Sequence, residues 1–164
     1  LVVVHTNVLW SGEKVAVQEM VIKRLDDIML LAEKYGVKMV IENVGLRTKN
    51  SVLFDCQEFV NLFHRFPKAG ALLDVGHANV NGWELAATVC ALKEHLVACH
   101  IHDNDGNGDA HLPVGQGNVD WYAYFEAVKQ YAPNAVQVME YSCGFADTAS
   151  LKIHLEELKK KYAL

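Results

Sequence analysis

The sequence predicts an α/β fold built on a parallel sheet, and three observations predict it. Short apolar runs alternate with helix-length segments, giving a strand–helix rhythm repeated five times. The runs are apolar throughout rather than alternating with polar residues, the pattern of strands covered on both faces. Each run also ends at a residue able to bind a metal or move a proton, and parallel α/β folds build their sites along that edge.

Leu1 to Thr6 (LVVVHT) reads as a buried strand ending near His5. Ser11-Gly12-Glu13 opens a helix over Lys14 to Tyr35, with Val17, Met20, Val21, Leu25, Ile28, Met29 and Leu31 on its inward face and Gly36 ending it. Val37 to Glu42 is the next strand and Asn43 to Ser51 a loop. Asp55 is placed to cap a helix through Phe66, which Pro67 stops. Ala71 to Asp74 is a third strand, and Val75-Gly76-His77 turns out of it. Trp83 to Glu94 is helical. Leu96 to His102 is the fourth strand, Val119 to Tyr131 a helix, Ala135 to Tyr141 the fifth strand, and Asp147 caps a last helix to Tyr162.

The totals narrow the function. The 164 residues suit one domain, 1–164, and the balance of 15 basic against 20 acidic residues argues against a nucleic-acid partner, which needs a basic surface for phosphates. No apolar run approaches the roughly 20 residues of a membrane span. Four cysteines without a CxxC pair, and no signal peptide, give the expectation of reduced thiols in a cytoplasm.

The chemistry gathers at the strand ends: His5, Glu42, Asp74 with His77, His102 and Glu140. The richest stretch is Ala98 to Trp121, ACHIHDNDGNGDAHLPVGQGNVDW. Strand geometry puts His100 and His102 on one face about 6.6 Å apart, with His102 expected at the mouth as a ligand and His100 a layer deeper as a packed core residue. Asp109 and His111 lie on the loop beyond, open to a second metal, to substrate contact or to pinning that loop. His5 reads either as a substrate contact or as a buried structural residue. Gly115-x-Gly117 is either a tight turn or a set of phosphate-facing N–H groups, and Trp121 reads as packing the start of the following helix. Glu42 and Glu140 sit on apolar strands, where a carboxylate is costly unless paired or metal-bound. As a pair they would transfer protons next to a carbonyl, through an enediolate stabilised by a divalent ion.

A closed eight-stranded barrel takes roughly 250 residues. Five units are too few, so the expectation is a partial (β/α)8 barrel completed by an absent N-terminal segment or by association with another copy, which would also cover exposed strand edges.

At VVVHT, IENVG, LLDVGHA, HIHDND, DAHLPVGQGNVDW and VMEYS the chain resembles the xylose-isomerase-like TIM barrels. These comprise sugar and sugar-phosphate isomerases and epimerases together with abasic-site nucleases of the endonuclease IV type. The resemblance implies strands four to eight of such a barrel. It also implies one divalent metal (Mn2+, Mg2+, Co2+ or Zn2+) on Glu42, Asp74, His102 and Glu140, with His77 touching a sugar or sugar-phosphate substrate. In the nuclease relatives three zinc ions use residues matching His5, Glu42, Asp74, His77, His102, Asp109, His111 and Glu140. The epimerases' substrate-binding arginine has no match here; the DNGNGD loop takes its place. A metal-dependent isomerase or epimerase is therefore the expected activity, with Glu42 and Glu140 catalytic and His5, His77, Asp109 and His111 contacting substrate. The zinc-dependent nuclease is the alternative.

Overall fold

The computed structural model describes residues 1–7, 9–142 and 144–164. Five strands, β1 (Val2–His5), β2 (Met39–Glu42), β3 (Gly70–Asp74), β4 (Leu96–Ile101) and β5 (Val136–Met139), form one sheet in the order of the chain. Every neighbouring pair is parallel. Among the described residues, six α-helices connect or follow them: α1 (Lys14–Lys34), α2 (Cys56–Arg65), α3 (Val75–Val80), α4 (Leu85–Leu92), α5 (Trp121–Tyr131) and α6 (Thr148–Tyr162), with a short 3-10 helix at Arg47–Lys49.

Local chemistry sets most of the boundaries. Asp55 caps α2 in a reciprocal box with Glu58, and Asp147 does the same for α6 with Ser150. Asp120 caps α5, so that helix starts at Trp121 rather than at Val119. Glu84 caps α4, which is shorter than the expected Trp83–Glu94 span. The largest departure follows β3. The expected turn at Val75-Gly76-His77 is the first half of helix α3, because the Asp74 side chain accepts the His77 backbone N–H and nucleates it.

The main core lies between the sheet's outer face and the helices. Met39, Ile41, Leu73, Cys99 and Ile101 meet Leu25, Phe59, Phe63, Val89, Phe125 and Tyr124 there. The inner face carries a smaller apolar layer, Val40, Leu72 and Ala98. Central strands β2 and β3 are buried along their whole length. The edge strands differ from the sequence expectation of uniform burial. Val2 and Val3 on β1 and Val136 and Val138 on β5 are 40–59% exposed, since neither strand has a partner on its outer side. Cys56, Cys90 and Cys99 are free thiols, while Cys143 lies outside the described residues. No described helix is long and apolar enough to cross a membrane.

Candidate metal and active site

The inner-face residues continue upward from Val40, Leu72, Ala98 and Val138 into Glu42, Asp74, His100 and Glu140, two positions further along each strand. Register pairs Asp74 with His100 and His5 with Glu42 across neighbouring strands. The sheet thereby delivers its polar residues to a common rim.

His100 is the centre of that rim. Its Nδ1 lies 3.5 Å from Glu42 Oε1, 3.8 Å from Asp74 Oδ2 and 3.3 Å from Glu140 Oε2. It is buried and has no hydrogen-bond partner within the described residues. Burial works against a charge on this imidazole, but the facing Glu42, Glu140 and Asp74 outweigh it and raise its pKa. One imidazole offers at most one positive charge to three carboxylates. An excess of negative charge on a buried rim is offset by neighbouring imidazoles, here also His5 and His102, by proton uptake on a carboxylate, or by a bound cation.

The expectation for His100 is therefore corrected. His100 is not a packed core residue, because its strand position aims it into the carboxylates. His102, past the end of β4, is fully buried, with Nε2 3.1 Å from Asp74 Oδ1. The expected quartet Glu42, Asp74, His102 and Glu140 falls into two groups of mutually close donor atoms: Glu42, Asp74 and His100 in one, His102, His111 and Glu140 in the other. Glu140 reaches both, through its contact with His100 and its place in the second group.

The remaining candidates sit around this rim. His5 is half-exposed, and its Nε2 is 3.1 Å from Glu42 Oε2. Asp109 Oδ2 lies 3.3 Å from His77 Nε2 and 3.2 Å from His111 Nε2. Burial would lower the His77 pKa, but the hydrogen bond it donates to Asp109 and the charges of Asp74 and Asp109 bring it up to about 9. Burial would raise Asp109, yet His77 and the other imidazoles hold it down at about 2. His77 Nδ1 donates to Asn43 O and His111 Nδ1 to Glu140 O, at 3.0 and 2.7 Å, which leaves each Nε2 turned to Asp109. His111 adopts φ 49°, a left-handed conformation rare outside glycine, and holds it beside this cluster.

Two residues outside the expected set support the site. Asn43 clamps Asp74 by both backbone groups: its Nδ2 donates to Asp74 O, and Asp74 N donates to its Oδ1. Asp103 is fully buried, and its carboxylate accepts N–H groups from Asn104, Gly115, Val119 and the Trp121 indole. That hub tethers both ends of the loop carrying Asp109 and His111. It also decides the role of Gly115-x-Gly117. Gly115 takes φ 91° and spends its N–H on Asp103, and a Cβ on Gly117 would overlap Asn104 O, so these glycines serve the turn. Trp121 packs in the core and adds the indole donor.

Comparison with known proteins agrees with this fold. The chain belongs to the xylose isomerase-like TIM barrel family, which matches residues 1–161. Two uncharacterized proteins of Methanocaldococcus jannaschii are similar: MJ1311, 28% identical over 99% of this chain and 59% of its own length, and MJ1614, 27% identical over 84% and 52%. This chain thus spans little more than half of those relatives. A D-tagatose 3-epimerase-like protein superposes with TM-score 0.77 at 26% identity, over 97% of this chain and 63% of its own. The fold is shared with D-psicose 3-epimerase from Clostridium cellulolyticum H10 (TM-score 0.72, 17% identity, 94% and 58% covered). It is shared too with the IolI protein carrying a bound zinc atom (TM-score 0.70, 20% identity, 98% and 59% covered).

Proposed function

We propose that this chain carries the metal-dependent centre of a sugar or sugar-phosphate isomerase or epimerase. The observation that carries the reading is the unpartnered His100 Nδ1 facing carboxylates from three other strands. The residues that would hold a divalent cation are Glu42, Asp74, His100 and Glu140. When bound, the ion would supply polarisation of a carbonyl and its neighbouring hydroxyl. The chain's own part is proton transfer. Glu140 is about one-third exposed, which suits it to take a proton from the carbon beside the carbonyl. Glu42, nearly buried and held by His5, is placed to return a proton from across the rim. On the loop side, Asp109 with His77 and His111 forms the polar wall that a substrate hydroxyl would meet. The epimerase-like relative in the comparisons supports this class of reaction.

The test is an assay of ketoses and their phosphates with Mn2+ or Co2+, comparing wild type with Glu140→Gln. Loss of about 10²–10⁴ in turnover is expected, the usual worth of a positioned acid–base group. Full activity in the variant would remove Glu140 from the chemistry.

A second reading, a zinc-dependent abasic-site nuclease, is favoured by one feature: His77 and His111 both converge on Asp109 beside the carboxylate rim. Metal stoichiometry separates the two, one ion per chain for the isomerase and three zinc ions for the nuclease. Cleavage of an abasic duplex would decide for the latter. The exposed β1 and β5 edges fit a barrel completed by further strands, from a longer polypeptide or a second copy, and light scattering on the chain alone distinguishes these.

A further inference from the structure

We infer that Asn107 is a site of spontaneous chemical modification: the Gly108 backbone nitrogen attacks its side-chain amide and converts the residue to aspartate or isoaspartate in the folded protein. The sequence holds two Asn–Gly pairs, Asn81-Gly82 and Asn107-Gly108, and the structure treats them oppositely. In such a pair the next main-chain nitrogen reaches the side-chain carbonyl carbon freely, because glycine has no Cβ in the way. Asn81 is locked at the C-terminal end of α3. Its Oδ1 accepts the Arg47 N–H at 2.8 Å, its Nδ2 donates to Gly45 O at 2.8 Å, and the Gly82 N–H donates to Asn79 O at 3.0 Å. Neither the amide nor the nitrogen can approach the other without breaking those bonds.

Asn107 carries no such restraint. It is exposed on the loop whose base is closed by the bridge between Asp103 and Leu112. Among the described residues the Gly108 N–H donates to no backbone carbonyl, and a Cβ on Gly108 would meet open space. The Asp105 carboxylate accepts the Asn107 backbone N–H at 2.9 Å and also draws in the Asn107 side-chain amide and the Gly108 N–H. One carboxylate therefore gathers the attacked group and the attacking nitrogen on the same side of the turn. In the first step the Gly108 nitrogen bonds to Asn107 Cγ and the Cγ–Nδ2 bond breaks. Ammonia leaves, taking up a proton as the Gly108 nitrogen gives up its own. Water then opens the cyclic imide at either carbonyl carbon, giving aspartate or isoaspartate. Both products add a negative charge two residues before Asp109, and isoaspartate also lengthens the main chain by one carbon. The inference stands independently of the metal reading above.

The test is peptide mapping by mass spectrometry of the folded chain held in mildly alkaline buffer, with the same chain in urea beside it. In the folded chain the mass gain of amide-to-acid conversion is expected at Asn107 while Asn81 stays intact. In urea both pairs should convert at similar rates, because the selection resides in the fold. Gly108→Ala, for which the structure leaves room, should lose the conversion at Asn107. An Asn107 that stays intact in the folded chain while converting in urea would overturn the inference, as would an Asn81 that converts as fast as Asn107 in the folded chain. Fragmentation that separates the two products adds a readout of the path. Isoaspartate is expected beside aspartate, and aspartate alone would mean direct hydrolysis by water and would overturn the attack by Gly108.

Discussion

Two groups of carboxylates and imidazoles share the rim, and they are built in opposite ways. The loop-borne group, His77, Asp109 and His111, gathers around one aspartate oxygen, while the other, Asp109 Oδ1, is buried without a partner among the described residues. Both imidazoles turn their Nε2 to Asp109 Oδ2 and spend their Nδ1 on backbone carbonyls. The strand-borne group, Glu42, Asp74, His100 and Glu140, gathers around an imidazole: its central nitrogen is buried without a partner among three carboxylates. The first turns its imidazoles to a single aspartate oxygen; the second also reaches His5 through Glu42 and His102 through Asp74. The second gathers three carboxylates around one imidazole, and it is the group proposed above to take a cation.

Substitutions that break this contrast have the largest expected effect. Asp74→Asn should abolish Mn2+ binding in a calorimetric titration, while Asp109→Asn should leave a tight one-to-one isotherm. Equal loss in both variants would mean that the two groups form one site. Next in size is the support of the loop. Asp103→Asn replaces an oxygen that accepts N–H groups with an amide that donates, and should cost about 3 kcal/mol in urea unfolding, the scale of a lost hydrogen bond to a charged group. The smallest effect is a pH dependence of the metal-free protein. The raised His77 pKa means its pairing stabilises the fold fully below about 6.5 and is lost as pH rises through about 9. The depressed Asp109 pKa adds stability that is present above 3.8 and lost as pH falls through about 2. Thermal midpoints followed across pH should show the alkaline limb flattened in Asp109→Asn.

The parallel sheet, the helix caps at Asp55 and Asp147 and the rim position of the acidic residues were legible from residue patterns, because burial on both faces and capping are local signals. The part played by His100 was not. Two positions on one strand face share the same periodicity, and the register of β3, β4 and β5 brings both imidazoles to carboxylates, His100 to Glu42, Asp74 and Glu140 and His102 to Asp74. Asn43 and Asp103 were visible as polar residues beside apolar strands, but their work is with backbone groups distant in sequence. The exposed valines of β1 and β5 follow from their edge positions, which the composition of the strands does not encode.

The most direct measurement is anomalous diffraction from crystals soaked in Mn2+. A single peak bounded by Glu42, Asp74, His100 and Glu140 is the expected result. A peak among His102, His111 and Glu140 instead, or those four side chains without one, would contradict the assignment of the strand-borne group as the cation site.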